Sequence, residues 1–265
     1  MIETIRTPDC FEDYWQFVNM PPRPSPTHFL CIPLVTATSR PQLNASLSSF
    51  RADVTSLDSF AVPDQAIRPI GTLHLTLGVM SFPKDEGLEK AVTLLKTLIP
   101  RKILADIAEA PPVVEEGKPS GPLPSPLSVT LKGLHSMQPA AKASVLYAPP
   151  VDGGGLLTKF CEKLRSAFQE AGLMMEDSRP LLLHATILNT IYVKGRNASR
   201  GGGGGGRGRG REKLTIDARQ ILDRYDDYVW IENSPVEKIA ICRMGAKKQD
   251  DGDEAYEVEA EIDVV

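Results

Sequence analysis

The sequence predicts an α+β fold made of two similar lobes. Three observations carry that expectation. A strand, helix, strand order runs through residues 27–99 and begins again after residue 127. The strands read as short apolar runs and the helices as amphipathic stripes. One short polar motif, His-x-Thr, stands at the same place in each half, at 74–76 and at 184–186.

Taken in order, residues 1–26 form a lead-in that closes on MPPRPSP, whose prolines favour extended backbone. THFLCIPLV, 27–35, reads as a buried strand. Leu43, Leu47 and Phe50 recur at helical spacing within 40–54, and Pro41 suits a first helical turn. GTLHLTLGVM, 71–80, is a strand because Leu73, Leu75 and Leu77 alternate with His74 and Thr76. EGLEKAVTLLKTLI, 86–99, is an amphipathic helix ended by Pro100. The Pro-, Gly- and Glu-rich stretch 109–126 reads as a linker or long surface loop.

The pattern then restarts. Strands are expected at 127–137 and 142–150. Over 155–173 a helix puts Leu156, Phe160, Leu164, Ala167 and Phe168 on one stripe, with Gly172 near its end. LLLHATILNTIYV, 181–193, is the strand carrying His184 and Thr186. Beyond a glycine run come a helix over 214–225 and a strand over 236–244. In the last strand Tyr256, Val258, Ala260, Ile262 and Val264 alternate with acidic residues. One domain is thus expected over 27–265, its lobes repeating around 27–108 and 127–265.

With 42% hydrophobic and 24% charged residues in a chain of 265, the composition is that of a globular protein. No apolar run is long enough to span a bilayer, and the first residues lack a signal-peptide layout, so an intracellular protein without a membrane partner is expected. Cys10, Cys31, Cys161 and Cys242 are scattered without ligand spacing; neither a metal site nor a disulfide framework nor a cofactor is expected. The net charge of −4 conceals a segregation. Residues 194–213 hold seven Lys or Arg against one Glu, so the rest of the chain is strongly acidic. Its Gly/Arg-rich part, 195–213, cannot build a core and is expected to be a disordered loop, read as a tolerated low-complexity expansion ahead of an arm that captures nucleic acid; if the protein touches RNA or DNA, it is the obvious electrostatic handle.

The motif carries the chemistry. His74 and Thr76 share one strand face, and so do His184 and Thr186. A single such pair is more often a core histidine with a satisfied ring; two copies in equivalent settings point to a site. Breaking a phosphodiester requires one proton taken from the nucleophile and one given to the leaving oxygen, and imidazole does either near neutral pH. A threonine hydroxyl beside each ring donates to non-bridging oxygens as their charge grows. Which ring is the base stays open in the sequence. His28 and His135 have Leu30 and Met137 two residues on and are expected to be structural or surface residues. Tyr192, as a stacking surface for a base, and Lys194 and Arg196, as phosphate contacts, are weaker substrate-binding candidates.

The repeated LHLTLGV and LHATILN resemble the two-histidine (2H) phosphoesterase superfamily, which includes the LigT-like RNA 2',3'-cyclic phosphodiesterases. Within it, THFLCIPL, LHLTLGVM, LKGL, LLLHATILNT and DARQIL are similar, in that order, to the domain shared by A-kinase anchoring protein 7 and activating signal cointegrator 1 complex subunit 1. The oligoglycine run departs from that pattern. The resemblance implies two antiparallel sheets flanking a central cleft with helices outside, His74, Thr76, His184 and Thr186 as catalytic residues, and an RNA or nucleotide substrate. It also implies subunits of a cointegrator-like complex as partners, in the nucleus or cytoplasm. Its alternative implication is a nucleotide- or RNA-binding scaffold without turnover.

Overall fold

The computed structural model describes residues 24–109, 127–193 and 214–264. Most of the expected lead-in, the stretch 110–126, Cys10, Lys194, Arg196 and the Gly/Arg-rich loop lie outside the described residues. The first half contains β1 (His28–Pro33), α1 (Arg40–Thr55), β2 (His74–Met80), α2 (Leu88–Thr97) and α3 (Pro100–Glu109). The second contains β3 (Ser128–Lys132), β4 (His135–Ser136), β5 (Val145–Ala148), α4 (Leu156–Glu170), β6 (Ala185–Asn189), α5 (Arg219–Arg224) and β7 (Val229–Pro235). The chain then returns through β8 (Lys238–Arg243), the short hairpin β9 (Lys247–Lys248) and β10 (Glu254–Ala255), and β11 (Val258–Asp263).

An antiparallel four-stranded sheet in the order β11-β8-β1-β2 forms the first half, completed by the C-terminal strands. The second half is antiparallel too, but it divides into β4-β5-β6 and β3-β7. The two parts still meet. Lys132 N–H donates to Pro149 O, and Val151 N–H to Thr130 O, so β3 runs beside the chain leaving β5. The register of β3 against β7 shifts at two places, and Gly133 follows it in the left-handed region, where a Cβ would fall 2.6 Å from Asp226 O. The strand order β7, β3, β5, β6 therefore repeats β11, β8, β1, β2, and each histidine motif falls at an edge strand.

Helices bind the halves together by crossing between them. α1 leaves the first sheet and packs on β7: Ser46 Oγ donates to Trp230 O at 2.8 Å, and Phe50 lies edge-on to Trp230 at 5.1 Å. α4, from the second half, packs against β2. One buried apolar cluster consequently runs through both halves, from Leu30 and Leu75 to Leu188 and Trp230. No helix among the described residues is long and apolar enough to cross a membrane.

Several elements differ from the sequence expectation for local reasons. The strand expected over 181–193 is only Ala185–Asn189, because its partner β5 ends at Ala148 and Pro149 and Pro150 have no N–H to extend the ladder. The helix expected over 214–225 is only Arg219–Arg224. Ile216 instead exchanges both backbone hydrogen bonds with Ala143, at 2.8 and 2.9 Å. Gly133 splits the strand expected over 127–137. Pro100 starts α3 rather than merely ending α2, and β7, built around buried Trp230, had no counterpart in the periodicity.

Candidate active site

The alternation read from residues 73–77 holds in three dimensions. Leu73, Leu75 and Leu77 are buried in the core, whereas His74 and Thr76 are half-buried on the opposite face of β2. That face is shared by Phe29, Cys31, Ala240, Cys242 and Tyr256. Phe29 lies 4.7 Å from the His74 ring, centroid to centroid, and Tyr256 meets it edge-on at 5.3 Å. The Cys31 and Cys242 sulfurs are 3.8 Å apart on neighbouring strands; this contact and burial keep the Cys31 thiol protonated.

The two histidines are held in the same way. His74 Nδ1 lies 2.7 Å from Thr72 O, and His184 Nδ1 lies 2.8 Å from Leu182 O, in each case the carbonyl two residues earlier. A carbonyl only accepts, so each Nδ1 carries a hydrogen and Nε2 is the nitrogen left to meet a ligand. Neither Nε2 has a hydrogen-bond partner among the described residues, and neither do the hydroxyls of Thr76 and Thr186. In both motifs an aromatic ring braces the imidazole, Phe29 for His74 and Tyr147, edge-on at 5.4 Å, for His184.

Burial lowers the His74 pKa to about 4, outweighing the hydrogen bond from the ring to Thr72 O; the charges of His184 and Arg68 push in the same direction as burial. Thr76 and His184 line one groove of about 580 Å³ with Gly78, Met137 and Met174, while His74 opens into a neighbouring depression of about 360 Å³ with Tyr256 and Lys238. Thr186 stands on β6 opposite Tyr147 and lines neither. His184 itself sits just ahead of β6 rather than within it.

Of the other candidates, Tyr192 is exposed on the turn after β6 and its ring lies over Arg68 at 4.0 Å. His28 is fully buried, with Nδ1 2.8 Å from Thr27 Oγ1 and Nε2 3.6 Å from Glu259, so its place is structural. His135 is exposed and lies beside Tyr147. Two residues near His74 escaped the sequence reading, Arg68 and Tyr256; only the spacing of Arg68 six residues before the first motif, on the approach to its strand, marks it. Among the described residues no group of three or more His, Cys, Asp or Glu is placed to hold a metal ion.

Comparison with known proteins gives the geometry its family. A Schizosaccharomyces pombe protein, C15D4.13c, is 27% identical over 221 residues, spanning 82% of this chain and 86% of that protein. Mouse activating signal cointegrator 1 complex subunit 1 is 25% identical over 162 residues, 59% of this chain but only 41% of the subunit. Among solved structures, TT0787 of Thermus thermophilus aligns over 90% of this chain and 97% of its own at 15% identity and a TM-score of 0.48. Escherichia coli LigT, solved with 3'-AMP, aligns over 90% and 98% at 16% identity and a TM-score of 0.47. Residues 26–264 match the family model of the AKAP7 2'5' RNA ligase-like domain. The chain belongs to that family, within the 2H phosphoesterase superfamily.

Proposed function

We propose that the protein is a metal-independent phosphodiesterase that acts on RNA ends or on small nucleotide phosphodiesters such as 2',3'-cyclic phosphates. What supports this reading is the matched pair of rings, each fixed through Nδ1 to a backbone carbonyl, and each motif with an Nε2 and a threonine hydroxyl that have no hydrogen-bond partner among the described residues. His74, which burial keeps neutral at physiological pH, takes a proton from the attacking water at its Nε2. As the new P–O bond forms and the bond to the leaving ribose oxygen breaks, protonated His184 gives that oxygen a proton. The hydroxyls of Thr76 and Thr186 donate to the non-bridging oxygens, where negative charge accumulates. His74 then releases its proton to solvent and His184 takes one up, which returns the pair to its starting state.

The deciding experiment offers the purified protein a panel of 2',3'-cyclic nucleotides and oligonucleotides with defined 2' and 3' ends. Turnover of a 2',3'-cyclic phosphate to a single monoester is the expected result. Tight nucleotide binding without turnover of any member would make the protein a binding module instead. On partners, we extend the partial match with the mouse cointegrator subunit to a place in a cointegrator-like complex, and with it a nuclear location. Stoichiometric copurification with such subunits tests that separately from catalysis.

A further inference from the structure

Arg68 is 5% exposed, yet no carboxylate among the described residues forms an ion pair with it. Burying a guanidinium away from a counter-charge is costly, and buried arginines are ordinarily paired. Here its cation is held by two aromatic side chains. Tyr192 covers it at 4.0 Å, and Nη2 donates to Tyr256 Oη over a long 3.5 Å, so among the described residues most of its five donors have no acceptor. The backbone N–H of Arg68 donates to Ile187 O at 2.9 Å, which fixes it between the halves, next to the second motif. On its other side, the ring of Tyr256 stands edge-on to His74. Arg68 is therefore one side chain away from the proposed base, and its charge reaches that ring.

The surface over it is a depression of about 980 Å³ whose wall includes Arg68, Tyr192, Tyr256 and the exposed Lys248. Carboxylates are present there too. Asp64 is taken by Arg51, and Asp253 by Arg40 and by the N–H of Gly71, while Asp251 and Glu254 complete the acidic part of the rim. An anion therefore has one favoured place, on the Arg68 side, where a stacked guanidinium offers its fork to phosphate oxygens.

We propose that Arg68, held by Tyr192 and Tyr256, binds a second phosphate of the substrate, the one that flanks the phosphodiester addressed by His74 and His184. The site then selects nucleotides carrying two phosphate groups over mononucleoside cyclic phosphates. This rests on the phosphodiesterase reading. It assigns Tyr192 a positioning role toward Arg68 in place of the base-stacking one read from sequence. The second phosphate has two sources, a 5'-phosphate on a free nucleotide or an internucleotide phosphate in an RNA end.

The test compares kcat/KM for uridine 2',3'-cyclic phosphate, its 5'-phosphorylated form and a dinucleotide ending in a 2',3'-cyclic phosphate, in wild type, Arg68→Gln, Arg68→Lys and Tyr192→Leu. The readout is the ratio between substrates with and without the second phosphate, since any effect common to both cancels. The ratio should fall roughly 10- to 100-fold in Arg68→Gln, mostly through KM, and recover in part in Arg68→Lys. Preference for the 5'-phosphorylated nucleotide or for the dinucleotide identifies the source. Calorimetric binding of uridine 3',5'-bisphosphate against uridine 3'-monophosphate reads the same preference without turnover, so a protein that hydrolyses nothing still tests Arg68. An unchanged ratio in Arg68→Gln, or equal affinity of the wild type for both ligands, would reduce Arg68 to a staple between the halves and overturn the proposal.

Discussion

Replacing His74 with Asn should change how stability depends on pH. In the folded protein the ring titrates at about 4 because it is withdrawn from water, whereas in the unfolded chain it titrates at about 6.5. The folded-state value is depressed, so below about pH 6.5 the unfolded chain binds a proton that the folded protein refuses, and stability is lost. The loss starts near pH 6.5 and is complete near pH 4. At about pH 5 it amounts to about 2 kcal/mol from this one ring. His74→Asn removes the titration while leaving a side chain able to donate to Thr72 O. Urea unfolding of both proteins at about pH 7.5 and about pH 5 gives the comparison, with other titrating groups cancelling between them. The wild type should lose about 2 kcal/mol more than the variant between the two conditions. Equal losses would mean that the ring takes up its proton without leaving its place, and the assignment of His74 as the neutral ring would be wrong.

Three further outcomes follow from the same structure. Phe50→Ala should cost about 3–5 kcal/mol in urea unfolding, because this fully buried ring joins α1 to Trp230 and Tyr225 of the other half; a loss below about 1 kcal/mol would show that the halves do not depend on this contact. Thr186→Val should lower kcat with KM little changed, by about 10- to 100-fold if its hydroxyl serves the transition state, and steady-state kinetics showing a pure KM effect would make it a ground-state contact. Prolonged treatment with a chelator should leave turnover intact, since both protons are handled by imidazole; loss of activity restored by one particular divalent ion would contradict the mechanism.

What was legible in the sequence was whatever follows from local periodicity. Leu73, Leu75 and Leu77 against His74 and Thr76 is a two-residue alternation, and it fixed which side chains share a face before any fold was known. The repetition of that motif made it a candidate site. The end of β6 was not legible, because it is set across the sheet by Pro149 and Pro150 rather than by the residues around His184. Arg68 was hidden for a similar reason: the residues that bury it, Ile187, Tyr192 and Tyr256, come from distant parts of the chain. Tyr256 read only as one apolar position in an alternating strand, and the approach of Cys31 to Cys242 depends on the pairing of β1 with β8. The exchange of α1 and α4 between the halves is a packing result that no single segment encodes.

The most direct test of the central claim is the kinetics of His74→Ala, His184→Ala and the double variant on whichever phosphodiester the wild type hydrolyses, with circular dichroism as the check on folding. General acid and general base catalysis are each worth about 10² to 10⁴ in rate, and two groups serving one transition state are not additive. Each single variant should therefore lose most of kcat while still binding nucleotide, and the double variant should be little worse than either. The wild-type rate should also fall as the pH drops through about 4, where His74 takes up its proton. Folded single variants that retain near-normal kcat would contradict the account, leaving the repeated His-x-Thr as a feature of the strands alone.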